Sequence, residues 1–201
     1  MKKTLIFTAI FPILAVMTLT ISNSKAMASG TELVMADFNT GEKPNNIGGD
    51  FGSWDKDPED DTQGTNLTFV SDDALGDPAG YAARLDYDVD SPNPAYNGFW
   101  MKLQSIDATP FNTLTFYAKG DSEKGYAKRV KIELKDGSDK PASYVVGNLT
   151  DTWQKFSISF DKFRRIQSWK ALKECVLVFD DMNAKPKTGT IYIDQIALSK
   201  E

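Results

Sequence analysis

In the stretch PNPAYNGFWMKL, residues 92–103, two aromatic rings four positions apart flank a glycine, and they set the chemical question. Run as a strand, the segment alternates: Asn97, Phe99, Met101 and Leu103 share one face, while Tyr96, Gly98, Trp100 and Lys102 share the other. The first set reads as a core face. The second offers flat apolar rings beside a glycine that leaves the backbone open to close approach. Such rings, ringed by amides and charges, suit a sugar, which carries C–H patches on its faces and hydroxyls at its rim. The polar groups are expected from the outward sets of neighbouring strands: Arg84, Asp86, Tyr117, Lys131, Glu133 and, by parity, Tyr144. In the competing arrangement, Trp100 is roofed by a long loop with its indole N–H bonded to backbone.

Other chemistries find less support. The chain has no histidine, which excludes Ser-His-Asp and Cys-His arrangements and histidine-bearing zinc sites. The single cysteine, Cys175, lies in the apolar run CVLVF and reads as a buried free thiol. Among 28 acids no two are marked as a catalytic pair, and they crowd into loops such as DKDPEDDT, where solvated charge is the ordinary explanation, so no enzymatic role is expected. The loop from Asp55 begins like an EF-hand, but Asp60 stands where glycine is needed and Asn66 where the bidentate glutamate belongs. Asp194 is different: it follows Ile191, Tyr192 and Ile193 in a strand that otherwise reads as buried, where an ionised carboxylate is costly unless paired or metal-bound. If the first and last strands are neighbours, Asp37 and Asp194, with backbone carbonyls and Asn39, could hold one structural calcium. The alternative is a carboxylate satisfied by loop amides.

The elements that must position these residues are strands. Ala83, Leu85, Tyr87 and Val89 oppose Arg84, Asp86 and Asp88, and the same alternation runs through 114–119, 130–135 and 155–160. Further strands are expected at Glu32–Phe38, Asn66–Val70, Ser143–Val146, Cys175–Phe179 and Thr190–Leu198. About ten strands with turn residues between them predict an all-β, two-sheet antiparallel jelly-roll sandwich with little helix. Only Asp161–Glu174 has room for a turn or two, and Thr40–Asn66 reads as one long ordered loop, functional or pinned by something.

Residues 1–28 read as a signal peptide: Lys2 and Lys3, an apolar run from Leu5 to Ile21, then Ala26-Met27-Ala28. This predicts a secreted or periplasmic protein, without a membrane partner after cleavage, whose residues 29–201 form a single domain. Cleavage would remove three lysines and no acids, leaving 20 Lys+Arg against 28 Asp+Glu and a net charge of −8. That balance argues against nucleic acid as a partner.

Taken in order, ADFNTG, NNIGGDFGSWD, LDYDVDSPNPAYNGFWMKL, LTFYAKGD with KIELKDG, WQKFSISFDKFRR and GTIYIDQI resemble the family 11 carbohydrate-binding modules and their jelly-roll relatives. The resemblance implies a non-catalytic module that binds β-glucan or a similar polysaccharide in a cleft of tyrosines, acids and arginine, with structural calcium. It places ligand contacts at or beside Tyr96, at Glu133, at Arg164 and Arg165, and near Trp169. Such modules usually ride on an enzyme, and none is present here, which points to a free-standing binder or one working beside a secreted or cell-surface enzyme. WQKFSISFDKF and IYIDQI also resemble the complex I intermediate-associated protein family, which implies a protein-interaction surface instead. A third reading, a lyase or hydrolase on the same scaffold, needs acid–base residues that the sequence does not mark.

Overall fold

Alternation of apolar and polar residues, with turn formers between the runs, leaves this chain one economical way to bury its oily faces: sheet against sheet. The computed structural model describes residues 32–71, 74–75, 80–138 and 140–201; the segment read as a signal peptide lies outside them. The described residues form eleven strands: β1 (Glu32–Ala36), β2 (Phe51–Asp55), β3 (Gly64–Val70), β4 (Ala82–Asp88), β5 (Tyr96–Ile106), β6 (Thr113–Gly120), β7 (Arg129–Lys135), β8 (Ala142–Gly147), β9 (Gln154–Ser159), β10 (Leu172–Asp180) and β11 (Thr188–Ser199). One antiparallel sheet has the order β3-β4-β11-β6-β9, with β1 also paired to β11; the other has the order β2-β5-β10-β7-β8. The all-β jelly-roll expectation is met. Among the described residues helix is confined to two single 3₁₀ turns, Phe160–Lys162 and Trp169–Ala171, within the stretch where a turn or two was expected.

The inward sets meet as the alternation requires. Leu85, Tyr87, Leu114 and Ile193 from the first sheet and Phe99, Met101, Ile132, Leu134 and Leu177 from the second belong to one buried cluster. Phe38 packs edge-on against both Phe51 and Phe99, and Tyr87 stacks on Phe179 with ring centroids 4.1 Å apart. Each fully buried side chain of this kind contributes about 1.5–3 kcal/mol. Cys175 lies among them as a free thiol, and desolvation pushes its pKa up to about 12. The native protein is therefore expected to resist a thiol-specific reagent at pH 8 and to react stoichiometrically only in denaturant; rapid native labelling would contradict this burial.

Two expectations need correction. The stretch Thr40–Asn66 is not one loop: β2 runs through it, pairing with β5 from Phe51↔Met101 to Asp55↔Asn97, and β3 begins at Gly64. Its glycines and aspartates hid a strand whose apolar residues are only Phe51 and Trp54. Tyr144 does not belong to an outward set either. It pairs with Ile132, which faces the core, and its neighbours in parity, Ala142 and Val146, are buried. Tyr144 is exposed because β8 is an edge strand, where the inward side runs out of sheet to cover it.

Candidate functional site

The outer face of the β2-β5-β10-β7-β8 sheet is built from the parity opposite to the core. Across β2 and β5 the register sets Gly52 beside Trp100 and Trp54 beside Gly98, so each indole faces a glycine of the neighbouring strand. The contact is tight: a Cβ on Gly52 would meet Nε1, Cε2 and Cζ2 of Trp100 at 3.3–3.4 Å. At Gly98 a Cβ would lie 2.0 Å from the Leu177 carbonyl oxygen, so no other residue fits there without moving β10. Tyr96 completes the row. Its ring lies 5.8 Å from that of Trp54 at 60° between planes, and it is 42 % exposed.

Two depressions adjoin on this face. One, of about 310 Å³, is bordered by Trp54, Trp100, Lys102, Glu133, Lys135, Glu174 and Val176. The next, about 240 Å³, shares Trp54 and Glu133 and continues past Tyr96, Lys131, Val178 and Asp180 to Met182. Together they form one groove along the strands. Val176 and Val178 of β10 make an apolar floor, and charged side chains line both ends.

Those charges are mostly paired. Glu174 takes both the Lys102 and Lys135 ammoniums, and Lys131 lies 3.5 Å from Glu133 and 3.3 Å from Asp180. Burial pushes the Glu174 carboxyl up, but its hydrogen bonds to Lys102 and Lys135 outweigh this and hold it below the ordinary glutamate value. Trp100 donates its indole N–H to the Ser53 carbonyl at 3.2 Å, and the Lys43 and Lys102 ammoniums lie 5.7 and 5.3 Å from its ring. The backbone bond of the competing arrangement is therefore present, yet the ring still borders the groove. Trp54, which sequence reasoning passed over, sits at the centre of the groove with its indole N–H buried and without a hydrogen-bond partner. Its GSWD context inside a glycine-rich stretch gave no alternation to detect.

Of the residues singled out from sequence, Tyr96, Trp100 and Glu133 come together here, and Tyr144 lies on the opposite parity at the edge. Arg84 and Tyr117 are elsewhere, on the outer face of the other sheet. Arg84 is bonded to Asp86 at 2.8 Å, and Tyr117 pairs in register with Asp194 and Lys155. Two sheets packed core to core have outer faces that point apart, so neither residue can share a ligand with Trp100. Trp169 stacks flat on Phe160, with centroids 3.8 Å apart, and spends one face on the chain itself. Arg164 and Arg165 line a separate hollow of about 460 Å³ with Ser138, Lys140, Ile166 and Gln167.

Asp37, Asn39 and Asp194 form a second constellation. β1 does pair with β11, and register shifts interrupt the ladders between Val34 and Ala36 and between Asp194 and Ala197, which re-aims the side chains there. Asp194 is fully buried and accepts from the N–H groups of Leu75 and Gln195. Burial pushes its carboxyl up to about 6 against those bonds, and the Asp37 charge adds to the rise. Asp37 accepts from the Asn39 N–H and the Asn46 side chain. The Asn39 side-chain oxygen is buried without a donor. Among the described residues no three His, Cys, Asp or Glu side chains converge, so a cation here would draw on two carboxylates, the Asn39 oxygen, carbonyls and water. Two interacting carboxylates, with an orphaned amide oxygen two residues on from Asp37, are a donor set that fits a hard divalent ion.

The fold and this face define a two-sheet β-sandwich with an aromatic groove across the outside of one sheet. Solved structures share the two-sheet fold. The chain is similar to the family 11 carbohydrate-binding module of a cellulosomal cellulase of Clostridium thermocellum, with a TM-score of 0.60 at 17% identity over 85% of this chain and 95% of that one. It is equally similar to a family 11 module from Clostridium thermocellum in complex with a β-1,3-1,4-mixed-linked tetrasaccharide, with a TM-score of 0.60, 18% identity, and coverage of 85% and 96%. It also matches a quarter of an exo-β-agarase chain, with a TM-score of 0.58 at 11% identity over 84% of its own length. At such identities the likeness is one of fold. No family model matches the sequence, and no curated protein sequence matches it either.

Proposed function

We propose that this chain is a non-catalytic polysaccharide-binding module, exported from the cell, that lays a β-glucan or similar β-linked chain along the groove of the β2-β5-β10-β7-β8 sheet. The observation that carries this is the row of Tyr96, Trp54 and Trp100 on one accessible face, over a valine floor with Glu133 and paired charges at hydrogen-bonding reach. Rings meet the C–H faces of the sugars and the charged rim meets their hydroxyls. The ligand-bound family 11 module supports the reading by its fold. A few stacking and hydrogen-bond contacts must offset lost ligand freedom, so dissociation constants are expected on the order of micromolar to millimolar. One calcium held by Asp37, Asn39 and Asp194 would be structural, tying β1 to β11 on the side of the sandwich away from the groove.

Affinity electrophoresis against soluble β-glucans, xylans and mannans tests the proposal, with retardation by at least one polymer expected. No retardation by any glycan, together with capture of a protein partner, would favour an assembly role; release of sugar ends would make the chain an enzyme. The split of the predicted residues over two faces gives a further expectation. Tyr117→Ala and Arg84→Ala should leave retention unchanged, whereas loss of binding in either would put the ligand on the other sheet.

A further inference from the structure

Three large hydrophobic side chains are exposed among the described residues: Tyr96 at 42 %, Tyr144 at 38 % and Met182 at 78 %. Single exposed apolar residues are ordinary on a protein surface. Two of these three, however, border one depression, the part of the groove of about 240 Å³ that Tyr96 and Met182 share. The most exposed of them stands at the groove's Tyr96 end: β10 finishes at Asp180, opposite Tyr96, and Met182 follows two residues later.

The turn after β10 holds Met182 in place. The Asp180 carboxylate accepts from the Met182 N–H at 3.1 Å and the Asn183 N–H at 2.8 Å, and the Asp180 carbonyl accepts from the Ala184 N–H at 2.9 Å. The Asp181 N–H donates to the Ala95 carbonyl at 3.3 Å, and Ala184 is buried in the core cluster. The backbone is thus fixed on both sides of a side chain that stands in solvent. An unbranched, polarisable thioether adapts to an uneven C–H surface, which suits it to the face of a sugar beside Tyr96.

The same thioether is chemically singular. Among the described residues sulfur occurs at Met35, Met101, Cys175 and Met182; Met35 and Met101 are at 0 % exposure, and Cys175 is buried. Only Met182 offers its sulfur to a dissolved oxidant. A hydroperoxide transfers one oxygen to such a sulfur: a sulfur lone pair forms the S–O bond, the O–O bond breaks, and the sulfur is oxidised by two electrons. The peroxide is reduced, its departing oxygen taking up a proton to leave as water or an alcohol. The sulfoxide is polar and chiral where the thioether was apolar, so the change falls on the groove and leaves the core methionines untouched.

We propose that Met182 is a ligand-contacting residue at the end of the groove and a site of oxidation by hydroperoxides, its conversion to the sulfoxide loosening glycan binding; this rests on the glycan reading above. The test treats the full chain and its Met182→Leu variant with dilute hydrogen peroxide and maps each methionine peptide by mass spectrometry. Affinity electrophoresis then uses the polysaccharide that the untreated chain retains. Met182 is expected to gain one oxygen well before Met35 and Met101, which should match its rate only in denaturant. Oxidation should weaken retention about fivefold, the scale of one buried methyl-sized group. Methionine sulfoxide reductases of both epimer specificities should restore it. Met182→Leu should bind fully, with or without peroxide. Oxidised Met182 with unchanged retention overturns the contact and spares the groove. Equal loss in the peroxide-treated leucine variant assigns the damage to another residue and also overturns it, as does native Met35 or Met101 reacting as fast as Met182. Retention of no polysaccharide by the untreated chain removes the groove reading and the Met182 contact with it. An unchanged near-ultraviolet circular dichroism spectrum after treatment separates a lost contact from unfolding.

Discussion

Trp100→Ala and Trp54→Ala are each expected to weaken glycan retention about thirtyfold, equivalent to about 2 kcal/mol, the scale at which a single aromatic dominates a binding surface. Both rings border the same depression, each is set in register opposite a glycine, and Trp100 packs directly on Gly52, which has no side chain to fill the space that truncation leaves. The two variants separate binding from folding in different ways. Trp100 has a backbone bond to Ser53 that its loss would break, at a cost of about 1 kcal/mol of stability. Trp54 has no such bond, and its removal relieves a buried N–H that has no acceptor. Trp54→Ala should therefore lose ring packing but no hydrogen bond, lowering the melting temperature modestly while binding collapses. Isothermal titration with the retained glycan, alongside thermal melts, measures both. Full affinity in the Trp54 variant would move the ligand off this face.

The second large effect concerns Asp194. In chelator its carboxyl has a folded pKa raised to about 6, above the ordinary aspartate value, because burial and the Asp37 charge disfavour ionisation. The native state then binds more protons than the unfolded chain between about pH 4 and pH 6, so stability falls as pH rises through that window. A rise of this size corresponds to roughly 3 kcal/mol. A bound divalent ion reverses the balance by favouring both ionised carboxylates. Added calcium is therefore expected to raise the melting temperature strongly at pH 7.5 and little at pH 4.5, and Asp194→Asn should remove both the calcium response and the decline toward neutral pH. A transition unmoved by chelator and by calcium at pH 7.5 would discard the ion, leaving Asp194 satisfied by Leu75 and Gln195 alone.

Ten of the eleven strands could be read from the sequence, most from alternation, because burial on one face of a sheet imposes a period of two, and β10 from the continuous apolar run CVLVF. β2 escaped because two of its five residues, Gly52 and Ser53, separate Phe51 from Trp54 and mask the period. Periodicity reports only inside or outside. It says nothing about which sheet a strand joins, and that is why Arg84 and Tyr117 were expected beside Trp100: β4 and β6 pair with β11, whereas β5 pairs with β10, and these are choices among distant segments. Tyr144 was misjudged for another reason. In the short run SYVV parity does not say which set faces inward, and only the register with Ile132 settles it. The Asp37–Asp194 neighbourhood was legible because an acid in an apolar strand is a local anomaly that needs no topology to be noticed.

The reciprocal register of Trp54 with Gly98 and of Trp100 with Gly52 fixes more than packing. The separation of the two indoles is dictated by the hydrogen-bond ladder of adjacent strands, about 7–8 Å between diagonal positions, and no hinge lies between them. The face therefore behaves as a ruler of fixed gauge: a polymer is accepted when its repeat falls into step with the two rings, and one of different pitch gains a grip on only one of them.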